Sequence, residues 1–345
     1  MTGNLKLRGK RELLSRGLYW SGTLFAFSQL PARDSLLVLT YHRVGDPESD
    51  CFDPGVFSAT GDEFYEQLAY LKHNLSPVTL EEALAFVEGT EKDKSSRCRV
   101  LITFDDGYLD NYETAYPILR SHGLQGVFFL CTGLVGSCFI PWWDRISYMV
   151  RTAQRRQFSL HYPGDLEVDV DRDGLTTSLQ AILRLYKRPE NCDSSRFIRE
   201  LSEAAMGQEP SGTLRRFLSW DEAKEMMDGG MAIGAHTHSH TILSQLDPEK
   251  QFEELSQSRE ILKQKLCFEP ESLAYPVGSP SSFTEETERI AEETGYRAAF
   301  SYYGGQNLPG KMTRFNIKRA FVSSQSLTQF RAQTTIHRLT GSFWP

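Results

Sequence analysis

A chain of 345 residues with 40% hydrophobic and 24% charged residues has globular proportions, large enough for one sizeable core or two modest ones, and is neither fibrous nor disordered. Its net charge of −7 gives no general attraction for nucleic-acid backbones or anionic lipid, so no nucleic-acid partner is expected. The six cysteines are scattered, with no CxxC pair and no dense secreted framework, which points to a reducing compartment.

The first 30 residues form a basic, then apolar extension. Lys6, Arg8, Lys10, Arg11 and Arg16 precede the eleven-residue run Gly17–Phe27. That run is interrupted by Ser21 and Thr23, lacks a small-x-small cleavage pattern and is well short of the roughly 20 residues that span a bilayer. It reads as a helix that packs on the body of the protein or makes peripheral contact with a membrane. A cytoplasmic location, or one on the inner membrane face, is expected over export.

From Leu36 onward, short runs rich in Val, Ile and Phe alternate with amphipathic stretches, the pattern of a parallel β/α sheet or barrel. Strands are expected at Leu36–Thr40, Arg99–Phe104, Gly126–Cys131, Met231–Ala235, Ser272–Tyr275, Arg297–Ser301 and Ile317–Val322, a barrel-like count of seven. Helix starts are announced by capping boxes at Thr60 with Glu63, Thr79 with Glu82 and Ser219 with Glu222. Asp247-Pro248 opens a helix reaching about Lys265, and Gly123 and Gly295 sit at helix ends. Glu88–Ser96 reads as a solvated loop. Residues 139–216 break the alternation and read as a helical or irregular insertion, with one clear helix at Leu175–Tyr186. The main domain then covers 31–325, followed by a tail from 326.

The strand Val100–Phe104 ends abruptly in Asp105-Asp106-Gly107-Tyr108. Two carboxylates there would stand at the mouth of a β/α barrel, where such folds place their sites. Alone, the motif is more often a solvated loop with Asp as a helix cap. A second apolar strand, Met231–Ala235, ends in His236-Thr-His-Ser-His240. Two imidazoles and a carboxylate form a ligand set for a zinc-like metal with positions left open for water and substrate. His236 and His240, four apart, could share one face of a helical turn. His238 would then point elsewhere as a solvated or supporting residue.

Thr103-Phe-Asp-Asp-Gly-Tyr108 together with His236–His240 resembles the polysaccharide deacetylase family, the NodB-homology or carbohydrate esterase family 4 group, in the same order and over roughly Leu36–Val322. The resemblance implies an irregular (β/α)7 TIM-like barrel and removal of N-acetyl groups from glycans. It assigns Asp105 as general base and Asp106, His236 and His240 as ligands of a divalent metal, zinc first among the transition metals. Leu273-Ala-Tyr-Pro-Val-Gly278 resembles the family's third motif, which implies an oxyanion contact from the Tyr275 backbone N–H, although the usual motif arginine is missing. By itself this stretch is a strand ended by proline and glycine.

The family's C-terminal Leu-x-x-x-His is also missing, and His337 lies too far along to replace it. Leu39-Thr-Tyr-His-Arg-Val44 instead resembles the Tyr-His motif of exopolysaccharide deacetylases, which makes His42 the candidate proton donor; without the resemblance it is a structural histidine. Trp142 and Trp143 either stack on sugar rings or belong to the core, with Asp144 and Arg145 paired. Arg319 either orients the Asp pair in place of the missing arginine or makes an edge-strand salt bridge. The expected partner is an N-acetylated glycan of exopolysaccharide or envelope synthesis. The other readings are a deacylase or deformylase of a lipid-linked sugar and a catalytically silent carbohydrate-binding homologue.

Overall fold

A computed structural model describes residues 13–341 apart from 19, 92–96, 211–214 and 323–325, so Lys6, Arg8, Lys10 and Arg11 and the end of the Glu88–Ser96 segment lie outside it. Among the described residues twelve strands follow in chain order: β1 (Ser35–Tyr41), β2 (Arg43–Val44), β3 (Phe57–Ala59), β4 (Ser76–Pro77), β5 (Cys98–Phe104), β6 (Gly126–Leu130), β7 (Gln157–Leu160), β8 (Leu166–Asp169), β9 (Ala232–Ala235), β10 (Ser272–Ala274), β11 (Ala298–Phe300) and β12 (Ala320–Phe321). The main sheet is parallel, in the order β11-β10-β9-β6-β5-β1-β12, with β4 added beside β5. Each of the seven expected strands is present within a few residues of its expected bounds.

The sheet curls because its two edges meet. Ile317 N–H donates to Ala299 O at 3.0 Å and Ser301 N–H to Ile317 O at 2.9 Å, while Leu39 and Thr40 pair with Ala320 and Phe321 on the other side. One short segment therefore bridges β11 and β1, and the architecture is the irregular (β/α)7 barrel.

Strand side chains alternate between faces. Leu37, Leu39, Val100, Ile102, Ile233 and Leu273 pack outward in one large core, whereas Leu36, Val38, Leu101, Val127, Phe129, Ala274 and Phe300 form a separate inner cluster. At the lower end Leu84 and Phe86 of the Leu80–Glu88 helix plug the interior, with the Arg99 guanidinium 4.2 Å from the Phe86 ring. Continuing the inward alternation upward places His42, Asp105 and His236 beyond the last inward residues of β1, β5 and β9. Gly234 is needed on this face: a Cβ there would come within 2.6 Å of the Phe129 ring and Ser272 Oγ.

The three expected capping boxes form, each closed in both directions. Asp247 caps Pro248–Leu266, and Gly123 and Gly295 take positive φ at helix ends. The tail expected from 326 is instead a 14-residue helix, Leu327–Thr340, whose Phe330, Ala332 and Thr334 are buried. Against its far end the Arg338 guanidinium donates to Leu30 O at 2.6 Å, and the Thr23–Ser28 helix buries Leu24 while Trp20 and Phe25 stay exposed. No helix among the described residues is long and apolar enough to cross a membrane.

The insertion is more ordered than its charge density implies. Leu175–Tyr186 is a helix as expected, and Trp142–Arg151, Ser194–Ala205 and the antiparallel β7–β8 pair join it around a core of Ile146, Met149, Leu160, Ile182, Phe197 and Leu201. The helix at Ser194 starts on an Asp193 cap. At Trp142 no side chain caps the first turn, and burial of one helix face does the work instead.

Between insertion and barrel lies a buried ionic cluster. Arg43 pairs with Asp50 and, at 2.7 Å, with Asp110; Arg216 lies 3.2 Å from both Asp50 and Asp144. Asp144 is thus paired with Arg216, not with Arg145, which binds Glu209 at 2.8 Å. Two guanidiniums serve three carboxylates, and burial, exceeding the pull of Arg216, pushes the Asp144 carboxyl up to about 7. Because that value is raised, the folded protein holds a proton that the unfolded chain has released from about pH 4 upward. The associated stability is present below about pH 4 and is lost as pH rises through about 7. Thermal melts should therefore fall by several degrees between pH 5 and 8, and less so in Asp144→Asn. Parallel pH dependence in the two proteins would remove Asp144 as the cause.

Candidate active site

At the end of β5 the chain turns sharply, with Asp106 and Gly107 both left-handed at φ 74° and 78°. Glycine suits the second position because a Cβ there would meet Leu130 Cδ2 at 2.9 Å. Asp106 takes the strained conformation without that freedom, which is found where a site demands a side-chain direction. The turn leaves Asp105 and Asp106 buried side by side.

The histidines come from the loop after β9, which is not helical. Thr237 and His240 take positive φ, 63° and 58°, and this reversal, not a helical face, brings the rings of His236 and His240 to 4.8 Å. His240 N–H donates to Thr237 Oγ1, and Glu254 from the Pro248–Leu266 helix accepts from His238 N–H, Ser239 N–H and Ser239 Oγ. His238 points away, its Nδ1 3.0 Å from Thr132 Oγ1.

His236 Nε2 lies 3.5 Å and His240 Nε2 3.2 Å from the same oxygen, Asp106 Oδ1. His236 Nδ1 donates to Ala274 O at 2.8 Å, so its Nε2 presents a lone pair to the carboxylate. Burial lowers the His236 pKa to about 4, which keeps that lone pair free at neutral pH. Asp106 Oδ1 itself is buried and lacks a hydrogen-bond partner among the described residues. Lone pairs converging on one another in a buried site are balanced by a cation, and the two imidazoles with one carboxylate fit a zinc-like divalent ion. Burial alone would raise Asp106, but His240, His42 and His236 outweigh it and hold the carboxyl well below the usual range.

Asp105 is held differently. Arg319 clamps it with two parallel bonds, Nη1 to Oδ1 at 2.6 Å and Nη2 to Oδ2 at 2.8 Å, and its Nε donates to Ser301 O at 2.9 Å. Both partners are buried, so this is no edge-strand salt bridge. Burial pushes the Asp105 carboxyl up, yet Arg319, His236 and His42 prevail and its pKa lies below the ordinary value.

His42, Asp105, Asp106, Trp142, Trp143, His236, His240 and Tyr302 line one cavity of about 120 Å³. Trp143 belongs to the core at the cavity wall: it is buried, donates from Nε1 to Tyr108 Oη at 2.7 Å and lies with its ring 4.3 Å from that of His240. Tyr302 is the next inward residue after β11, and no motif in the sequence marks it.

Tyr275 is placed differently from expectation. Its N–H donates to Phe300 O at 3.0 Å in the sheet, and its side chain stacks on Phe283 outside the barrel with the hydroxyl bonded to Phe315 O. It has no donor for an oxyanion. Two residues on, Val277 lines the cavity at φ 62°, and its N–H has no partner among the described residues. The Pro-Val-Gly turn was the available signal: a donor beyond proline has left the ladder.

The sequence pattern of the polysaccharide deacetylase family matches residues 92–299. The Bacillus subtilis protein YxkH, which carries a polysaccharide deacetylase name, is 22% identical over 270 residues, or 78% of this chain and 64% of its own length. A poly-β-1,6-N-acetyl-D-glucosamine N-deacetylase of Staphylococcus epidermidis is 34% identical over 115 residues, 30% of this chain and 39% of that protein. The chain thus spans less than two thirds of either relative in these matches. Among solved structures, the Streptococcus pyogenes deacetylase PplD in complex with acetate has the same fold, with TM-score 0.57, 19% identity and coverage of 87% of this chain and 98% of the other. IcaB of Ammonifex degensii gives 0.55, 22%, 87% and 97%.

Proposed function

Since the chain belongs to the polysaccharide deacetylase family, we propose that it hydrolyses N-acetyl groups on a glucosamine-containing glycan in a metal-dependent reaction. The observation that carries this reading is the convergence of His236 Nε2 and His240 Nε2 on Asp106 Oδ1, beside an Asp105 clamped by Arg319. A divalent ion held by Asp106, His236 and His240 would supply Lewis acidity, lowering the pKa of water toward about 7 and polarising the acetyl carbonyl.

The remaining steps fall to the protein. Asp105, ionised through Arg319, accepts the proton of the attacking water; a carboxylate with both oxygens in a bidentate pair still has lone pairs free for that bond. The Val277 N–H is the donor placed to share the oxyanion, a contact whose loss typically costs about 3 kcal/mol. The C–N bond then breaks, His42 delivers a proton to the nitrogen, and acetate and a free amine leave. A cavity of about 120 Å³ holds an acetamido group and part of one ring, so the rest of a polymer lies across the mouth.

Of the glycans, a β-1,6-linked N-acetylglucosamine polymer is the substrate we favour, on the name of the Staphylococcus epidermidis relative. The test is acetate release from β-1,6-linked and β-1,4-linked N-acetylglucosamine oligomers by chelator-stripped protein, with Zn²⁺, Co²⁺ or Mn²⁺ added back. Release restored by metal is the expected result. No release under any metal would leave a silent homologue, and release only from lipid-linked saccharides would move the substrate.

A further inference from the structure

The same cavity has a second wall that the catalytic scheme leaves unused. Asp53, in the loop between β2 and β3, and Lys187, capping the Leu175–Tyr186 helix of the insertion, both line it together with Val56, Leu183 and Trp142. Among the described residues the Lys187 ammonium has no ion pair or hydrogen bond, and its recorded contact is with the Trp142 ring. Asp53 accepts one bond on Oδ1, from Gly55 N–H at 2.8 Å, and none on Oδ2. The two therefore face the same space without pairing with each other. Both are half-buried, and burial lowers the Lys187 pKa and raises that of Asp53, with the other residue among the opposing charges in each case. Beside them the Trp142 ring is braced by stacking on Tyr186 at 4.2 Å, with the Lys187 ammonium 5.9 Å from its centroid.

A half-buried carboxylate and ammonium lining one cavity with an aromatic ring form a site for a neutral group that both donates and accepts. A sugar hydroxyl does both, and two adjacent hydroxyls reach both charges while the C–H face of the ring lies on the tryptophan. We propose that Asp53, Lys187 and Trp142 form a sugar subsite that reads a free vicinal diol on the glycan, and so determines which linkage the protein accepts. This rests on the deacetylase reading above for the chemistry, though not for the binding. Its consequence is specific: a pyranose linked through its 6-position keeps the 3- and 4-hydroxyls as a free adjacent pair, whereas one linked through its 4-position has lost it.

The test compares Asp53→Asn and Lys187→Met with the wild type on β-1,6-linked and β-1,4-linked N-acetylglucosamine tetramers. Asparagine retains the acceptor for Gly55 N–H, so the loop keeps its turn. Loss of a hydrogen bond to a charged group predicts a KM for the β-1,6 tetramer raised about tenfold or more, with kcat little changed and the preference between linkages largely erased. Lys187→Arg should recover part of it. Binding is read without turnover by calorimetry, titrating the β-1,6 tetramer into the zinc-loaded Asp105→Asn protein with and without each substitution. A Kd weakened about tenfold supports the subsite even if no glycan is deacetylated, in which case the catalytic reading alone fails. If acetate is released but neither KM, Kd nor linkage preference moves, or if only kcat falls, the subsite is overturned.

Discussion

Asp105→Asn should reduce acetate release by about a thousandfold, the range of a lost general base, while the protein still binds its metal. Asparagine keeps the shape of the side chain and an acceptor for Arg319, but has no basic oxygen for the water's proton. His240→Ala makes the contrasting case, because it removes one of the three candidate ligands, Asp106, His236 and His240, and should lower metal content as well as turnover. The two variants are separated by metal analysis of the purified proteins beside the acetate assay. If Asp105→Asn retains near-wild-type activity, or if His240→Ala retains both metal and activity, the division into one base and a three-residue ligand set is wrong.

The second large effect is expected at Arg319. Replacing it with methionine leaves the Asp105 carboxylate buried without its bidentate partner, a change that typically costs about 3–5 kcal/mol. The sign of the accompanying pH effect follows from the balance at Asp105. In the native protein its pKa is depressed, so its stabilisation is present above the ordinary carboxylate value of about 4 and is lost as pH falls through the lower folded value. Without Arg319 the desolvation it opposes prevails and the folded pKa moves up. The acid limb of kcat/KM should then shift to higher pH by about one unit or more, and the variant should gain more stability on mild acidification than the native protein, whose own gain comes from Asp144. Lysine, a single point charge without the fork, should restore the pH limb in part. Unchanged denaturation midpoints and an unchanged acid limb would show that the clamp carries neither role.

The parts of the fold legible in the sequence were those written within a few residues. Capping boxes at Thr60, Thr79 and Ser219 name their own partners three residues on, and each forms. Leu175–Tyr186 begins and ends where its apolar spacing says. The Trp142–Arg151 helix was harder to see because it has no capping side chain, and its apolar face has meaning only against Ile182 and Leu201. The order within residues 139–216 follows from that packing, not from local pattern.

For the site, the sequence by itself determined the chemistry: paired carboxylates after one buried strand, paired imidazoles after another, and His42 in phase with the inward face of β1. These are strand-end positions, and period-two alternation sets their direction once the strand is recognised. Tertiary structure decided the rest. Arg319 reaches Asp105 across 214 positions only because the segment Ile317–Phe321 closes the barrel between β11 and β1. Tyr275 N–H is taken up by pairing with the neighbouring strand β11, which supplies its acceptor, and the left-handed turns at Asp106, Thr237 and His240 set the arrangement of the candidate metal ligands that residue spacing had suggested a helix would provide. Local hydrogen bonds and alternation are encoded in adjacent residues; barrel closure and the pairing of buried charges depend on which distant segments meet, and no short stretch of sequence contains that information.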